Sequence, residues 1–198
     1  MFKKNQWVFV ATALLAVAGA AHAEENHFAG PYVVVTNEWK NASATVDGEK
    51  IKKSESAPSI GVGYTFGLDH HATVGIKATF DTKNGEYGVG AINEVETEVK
   101  EKSHYSIAVE PGYAVNDKVL VFGILAYHKA KAELVVDSVG TTSAISGYGY
   151  GVGAKYTLPN HFFLMAELQK VTYRSKFIDS SAVKPSSNVL ALGVGYHF

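Results

Sequence analysis

Cysteine is absent from all 198 residues. No disulfide can staple this fold, and no thiol follows the N-terminal apolar run to carry a lipoprotein anchor. Charge of one sign is missing too: 18 Lys plus Arg stand against 19 Asp plus Glu, interspersed along the chain. Nothing in that balance suggests a nucleic-acid surface. Proline is scarce, with 5 residues, and no proline-rich or serine-rich linker divides the chain. Beyond the N-terminal segment, no apolar stretch approaches the roughly 20 residues that a membrane-crossing helix needs. Glycine and aromatics, by contrast, are abundant: 19 Gly, 11 Tyr and 10 Phe.

The N-terminus explains itself first. Lys3 and Lys4 precede an apolar run from Trp7 to Ala20, then the small-residue site Ala21-His22-Ala23 and Glu24. This is the pattern of a secretory signal peptide over residues 1–23, cleaved after Ala23. One domain over residues 24–198 is expected to remain, with 16 basic residues against 19 acidic once Lys3 and Lys4 are gone.

A period of two dominates that domain, in segments of about ten residues separated by glycine-rich or polar breaks. In the last segment Leu190, Leu192, Val194, Tyr196 and Phe198 share one face, while Val189, Ala191, Gly193, Gly195 and His197 share the other. Between 147 and 158, Tyr148, Tyr150, Val152, Ala154, Tyr156 and Leu158 alternate with Gly147, Gly149, Gly151, Gly153, Lys155 and Thr157. In a water-soluble sandwich the face opposite the large residues would be charged. Here it is mostly glycine, alanine and threonine, as the narrow interior of a small barrel requires.

The same rule turns Ile60, Val62, Tyr64 and Phe66 outward, then Val74, Ile76, Ala78 and Phe80, then Tyr105, Ile107, Val109 and Tyr113. Segments 28–40, 119–133 and 162–177 complete eight strands, their facing left open. The fold class read from this is all-β: an eight-stranded antiparallel transmembrane β-barrel. Connections alternate between tight ones (67–71, 116–117 and 159–160) and longer polar ones (41–58, 84–103, 135–146 and 178–187). Short periplasmic turns and longer extracellular loops are the outer-membrane arrangement. It predicts Lys53, Glu98, Ser138 and Lys184 outside the cell, with Asp69, Asp117 and Asn160 in the periplasm. Tyr64, Phe66, Tyr113, Tyr156, Phe162, Tyr196 and Phe198, near strand ends, suit an interfacial aromatic girdle.

The terminal Gly193-Val194-Gly195-Tyr196-His197-Phe198 resembles the closing strand of the OmpX/OmpA-type small outer-membrane barrel family, and the resemblance extends over the mature chain. It implies localisation in the outer membrane of a Gram-negative cell and contact with lipid and lipopolysaccharide. It also implies that the barrel-assembly machinery reads Phe198, with Tyr196 and Val194 on its face, as an assembly signal. Unlike full-length OmpA proteins, the chain shows no second domain for peptidoglycan, so its role is expected in the barrel or its loops.

Inside such a barrel the alternation directs Lys77, Glu110, Lys155 and Glu167, each about four to seven residues from a short turn. Similar depth near mid-membrane makes mutual neutralisation close to obligatory. Lys155 with Glu167 is the expected pair, across the Pro159-Asn160 turn. A polar plug holding the wall together is the favoured reading, and an ion or proton path the alternative.

Catalytic chemistry finds little support. His104 beside Ser103, with Glu101 near, is the one suggestive cluster, at a loop–strand junction where such residues are common. Asp69-His70-His71 could attract a metal but reads better as a solvated turn. No catalytic residue, metal or cofactor is expected, and the protein is read as a monomer and not an enzyme. Residues 94–100, 81–83 and 129–134 keep strand alternation beyond a membrane-sized span, so the wall is expected to continue above the lipid. Its edge could accept a strand from an extracellular protein partner, or simply meet lipopolysaccharide. Two functions remain: a structural and surface-interaction barrel serving envelope integrity, adhesion or host contact, or a narrow OmpW-like channel for small or apolar solutes.

Overall fold

The computed structural model describes residues 26–46, 49–82, 85–92, 95–136, 139–174, 176–178 and 181–198. In the outermost hairpin stretches, 44–53, 85–102, 132–143 and 176–185, the description is of strand pairing alone. The expected signal peptide, Lys83, Glu94 and Ser138 lie outside the described residues.

Among the described residues ten strands are formed: β1 Gly30–Val46, β2 Glu49–Gly67, β3 Ala72–Asp81, β4 Gly85–Ile92, β5 Val95–Asn116, β6 Val119–Val136, β7 Val139–Thr157, β8 Phe162–Tyr173, β9 Lys176–Ile178 and β10 Ser181–His197. Eight of them make the wall, in the order β1-β2-β3-β5-β6-β7-β8-β10. The wall closes where β1 pairs antiparallel with β10, from Tyr32 opposite His197 to Thr45 opposite Lys184. Closure leaves no backbone edge at membrane depth, where an unpaired N–H or C=O would cost several kcal/mol. The short β4 and β9 are side ribbons, pairing β5 and β10 respectively.

Three tight connections define one end. Asp69 Oδ1 accepts the backbone N–H of His71 and Ala72. Asn116 Oδ1 accepts those of Lys118 and Val119 at 2.9 Å each. Asn160 and His161 both take positive φ, 61° and 65°, in a three-residue connection closed by the Leu158 N–H donating to Phe162 O at 2.7 Å. The opposite end differs from the loops expected there. Most of 41–58 is strand, since β1 and β2 stay in register out to Val46 opposite Glu49. Likewise β6 and β7 pair as far as Val136 opposite Val139. Polar residues that look like loop in sequence extend the ladder because each new pair satisfies its backbone without needing an apolar face. Residue 28 also departs from expectation: Phe28 precedes β1 in a turn and is buried, closing the short-turn end.

Alternation runs along most of the wall, interrupted by register shifts in the β5–β6 pair at Glu101/Ser103 and Ala114/Asn116 and by Tyr64, expected outward and exposed but buried beside Phe66. Val35, Ile60, Ile76, Ile107, Leu125 and Val152 are among the large apolar side chains left exposed, and the bilayer is their solvent. Facing that sequence reasoning left open is resolved: Val33, Val35 and Trp39 point out, while Tyr32, Val34, Thr36, Glu38 and Lys40 point in. Aromatic contacts mark two levels. Tyr64–Phe66, Phe162–Tyr196 and Tyr196–Phe198 lie near the short turns; Phe80–Tyr105 and Tyr127–Tyr148 lie toward the hairpins. Tyr105 and Tyr113 are eight residues apart on β5, about 20 Å along the axis of a tilted strand, close to the height of an outer-membrane apolar band.

Candidate functional site

The interior is layered, and each layer follows from which inward positions carry volume. At the short-turn end, Phe28, Tyr32, Leu120, Phe122 and Phe163 form an apolar plug. The glycines opposite make room for it. A β-carbon at Gly195 would collide with the Phe163 ring, and one at Gly153 with that of Phe122. A β-carbon at Gly63 would likewise meet the Tyr32 ring, so the small face seen in sequence is the complement of three aromatic rings on neighbouring strands.

Above the plug, four charges meet. Lys77, Glu110, Lys155 and Glu167 are each no more than 4% exposed. Lys77 Nζ bonds Glu167 Oε1 and lies 2.7 Å from Glu110 Oε1. Lys155 Nζ stands 3.6 Å from Glu110 Oε2, which also accepts the Tyr32 hydroxyl at 3.2 Å. The expected pairing of Lys155 with Glu167 is not made. Register places Lys155 opposite Met165 and Glu167 opposite Gly153, so Glu167 meets Lys77 from across the lumen. Lys155 instead lies 3.8 Å over the Tyr32 ring, with Phe122 and Phe163 further off at 5.3 and 5.7 Å. Its charge is met by the Glu110 carboxylate and by ring faces.

A second polar layer lies toward the hairpin end, separated by the hydroxyl pairs Thr36–Ser59 and Thr79–Ser106, each 2.6 Å. Here Lys40 Nζ bonds Asp81 Oδ2, with Glu38 Oε2 at 3.6 Å and His104 Nδ1 at 3.4 Å. His104 stacks on His128, Nε2 to Nδ1 at 3.1 Å. Ser59 donates to Glu38 Oε1 at 2.9 Å. Sequence reasoning missed Glu38, Lys40 and His128 because the facing of their strands was undecided. Trp39, an outward aromatic, was the signal that would have fixed it.

The suggestive catalytic cluster is taken apart by the wall. His104 is buried inside and Ser103 is exposed outside, while the Glu101 side chain lies outside the described residues. Asp69-His70-His71 is an exposed turn in which the backbone N–H of Ala72 and His71 hold the Asp69 carboxyl below the usual carboxylate range. The aromatics of the terminal face, Tyr196 and Phe198, touch each other and Phe162 at the short-turn end, with Val194 exposed above them. The backbone N–H of Phe198 donates to Pro31 O at 3.0 Å, tying the terminus to β1.

The profile of the outer membrane protein beta-barrel domain matches residues 9–198. Among solved structures, Ail, the attachment invasion locus protein of Yersinia pestis, in complex with the heparin analogue sucrose octasulfate, is similar at 18% identity and a TM-score of 0.52. The match covers 85% of this chain and 99% of that one. Neisserial surface protein A is similar at 13% identity and 0.56, over 85% and 99%. OprG from Pseudomonas aeruginosa is similar at 15% and 0.53, over 87% and 98%. At these identities the likeness is one of fold. No curated protein sequence matches.

Proposed function

The chain belongs to the outer membrane protein beta-barrel domain family, and from that premise we propose that this barrel of the Gram-negative outer membrane works at its surface, through its hairpins, not by transport through its lumen. The observation that carries the reading is a filled interior beneath long hairpins. Tyr32, Lys77, Leu120 and Ile124, among the largest fully buried side chains, lie across the lumen. An eight-stranded wall has just enough room for such a filling. At one end only, strands run far past the membrane: β5 has 22 residues and β2 and β7 have 19 each, where a spanning strand needs about 9–11. Hairpins that project this far while their lower halves are fixed in a rigid barrel are suited to contact with lipopolysaccharide or an extracellular protein, including adhesion or host contact. That Ail is a protein of attachment and invasion supports the same direction.

The charge quartet is read as a structural belt. Val194, Tyr196 and Phe198 are read as the strand that the barrel-assembly machinery engages, and residues 1–23 as the signal peptide that delivers the chain to it. Purified protein in planar bilayers tests the main reading. No discrete conductance is expected. Unit channel events in the native protein would favour the narrow channel and overturn it. Cells carrying β1–β2 and β6–β7 hairpins trimmed to membrane length should keep a folded barrel and lose surface attachment.

A further inference from the structure

We propose that Glu38, Asp81 and His104 form a binding site for one divalent transition-metal ion of the zinc type, and that the Lys40 ammonium is the cation occupying that site when no metal is bound. Three strands contribute: Glu38 from β1, Asp81 from β3 and His104 from β5. One potential ligand atom from each lies within 4.8 Å of the other two. Ligands of a tetrahedral zinc ion, each about 2.0–2.2 Å from the metal, are roughly 3.3–3.5 Å apart. Closing the trio therefore takes a side-chain movement of about 1 Å, without moving the wall. His104 Nδ1 and Asp81 Oδ2 already approach to 3.2 Å.

Independent features point to a cation at this spot. The Lys40 ammonium lies among all three groups, which shows that their lone pairs converge. Asp81 Oδ1 is buried with no hydrogen-bond partner, leaving the carboxylate a second oxygen for a metal. The supporting contacts are those a metal centre uses. His104 Nδ1 faces the cluster, 3.2 Å from Asp81 Oδ2, and when the ring proton sits on Nε2, 3.1 Å from His128 Nδ1, the Nδ1 lone pair is the one offered to a metal. Ser59 fixes the Glu38 carboxylate. One imidazole and two carboxylates suit zinc and its neighbours better than calcium or magnesium, which favour all-oxygen cages. Two carboxylates facing one ammonium leave net negative charge here, so exchange of Lys40 for a divalent ion improves the balance in a poorly solvated lumen.

The test is calorimetric titration of Zn²⁺ into untagged, refolded native barrel and four variants, with folding followed by heat-modifiable gel migration. One equivalent is expected to bind. Lys40→Met should bind at least tenfold more tightly, because the competing ammonium is gone. His104→Gln should bind at least tenfold more weakly, and so should Asp81→Asn; if the latter does not fold, His104→Gln decides. His70→Ala, in the exposed turn, should bind like the native protein. Absence of binding in both native protein and Lys40→Met would overturn the proposal. So would binding that survives His104→Gln or disappears in His70→Ala.

Discussion

Lys77 is the charge on which the interior belt turns, and removing it gives the sharpest prediction. Its ammonium bonds both Glu110 and Glu167, and all three side chains are at most 4% exposed. Lys77→Met leaves two buried carboxylates with only Lys155, 3.6 Å from Glu110. Stranding a buried charge in this way costs about 3–5 kcal/mol, a large share of a typical total of roughly 5–15 kcal/mol. Glu167→Gln should cost less, about 1–3 kcal/mol, because Lys77 keeps Glu110. Combining the two removes a cation and an anion together, so the double variant should be more stable than the sum of the singles predicts, by about 1–3 kcal/mol. The same cycle on Lys155 and Glu167 should show weaker coupling, since these two are not in contact and interact through Glu110 and Lys77. Urea unfolding from phospholipid vesicles measures all of these. In refolded protein spanning residues 24–198, Trp39 is the one tryptophan, on the outer face and 40% exposed, and its fluorescence reports transfer out of lipid. Additivity for Lys77 with Glu167, or stronger coupling for Lys155 with Glu167, would refute the pairing and the network built on it.

Phe198→Ala should lower the amount of barrel reaching the outer membrane in cells while leaving refolding into detergent largely intact; one terminal ring at an interface contributes a few kcal/mol at most, on the order of 1–3. Equal losses in both settings would make Phe198 a packing residue only. Gly151→Ala should destabilise by about 1–3 kcal/mol, because its β-carbon would collide with the Leu168 carbonyl and crowd the Gln169 backbone. Gly123→Ala faces outward with nothing closer than Pro111 at 3.6 Å and should be tolerated; matching unfolding curves for the two would remove the close-approach argument. Single cysteines at positions 53, 98, 138 and 184 should react with an impermeant reagent on intact cells, and those at 69, 117 and 160 should not. The opposite pattern would invert the barrel in the membrane.

The sequence by itself determined the number of wall strands, the closed antiparallel wall and its lipid-facing surface. The reason is that membrane burial imposes a period of two on every spanning segment, and residues such as Tyr148, Tyr150 and Val152 against Gly147, Gly149 and Gly151 display it without reference to any partner. It also indicated that Lys77, Glu110, Lys155 and Glu167 face inward. Tertiary structure alone decided which of them meet, because a contact across a lumen depends on shear and closure, not on chain neighbours. Pro159-Asn160 brings Lys155 near Glu167 in sequence, yet register sets Lys155 opposite Met165 and delivers Glu167 to Lys77, 90 residues away. The second layer was hidden for the same reason: Glu38, Asp81 and His104 are tens of residues apart in sequence, and only the closed wall directs their ligand atoms to one point. Loop against strand at the hairpin end was likewise decided in three dimensions, since polar residues from 41 to 58 carry no apolar period and extend the ladder only because a partner strand lies alongside.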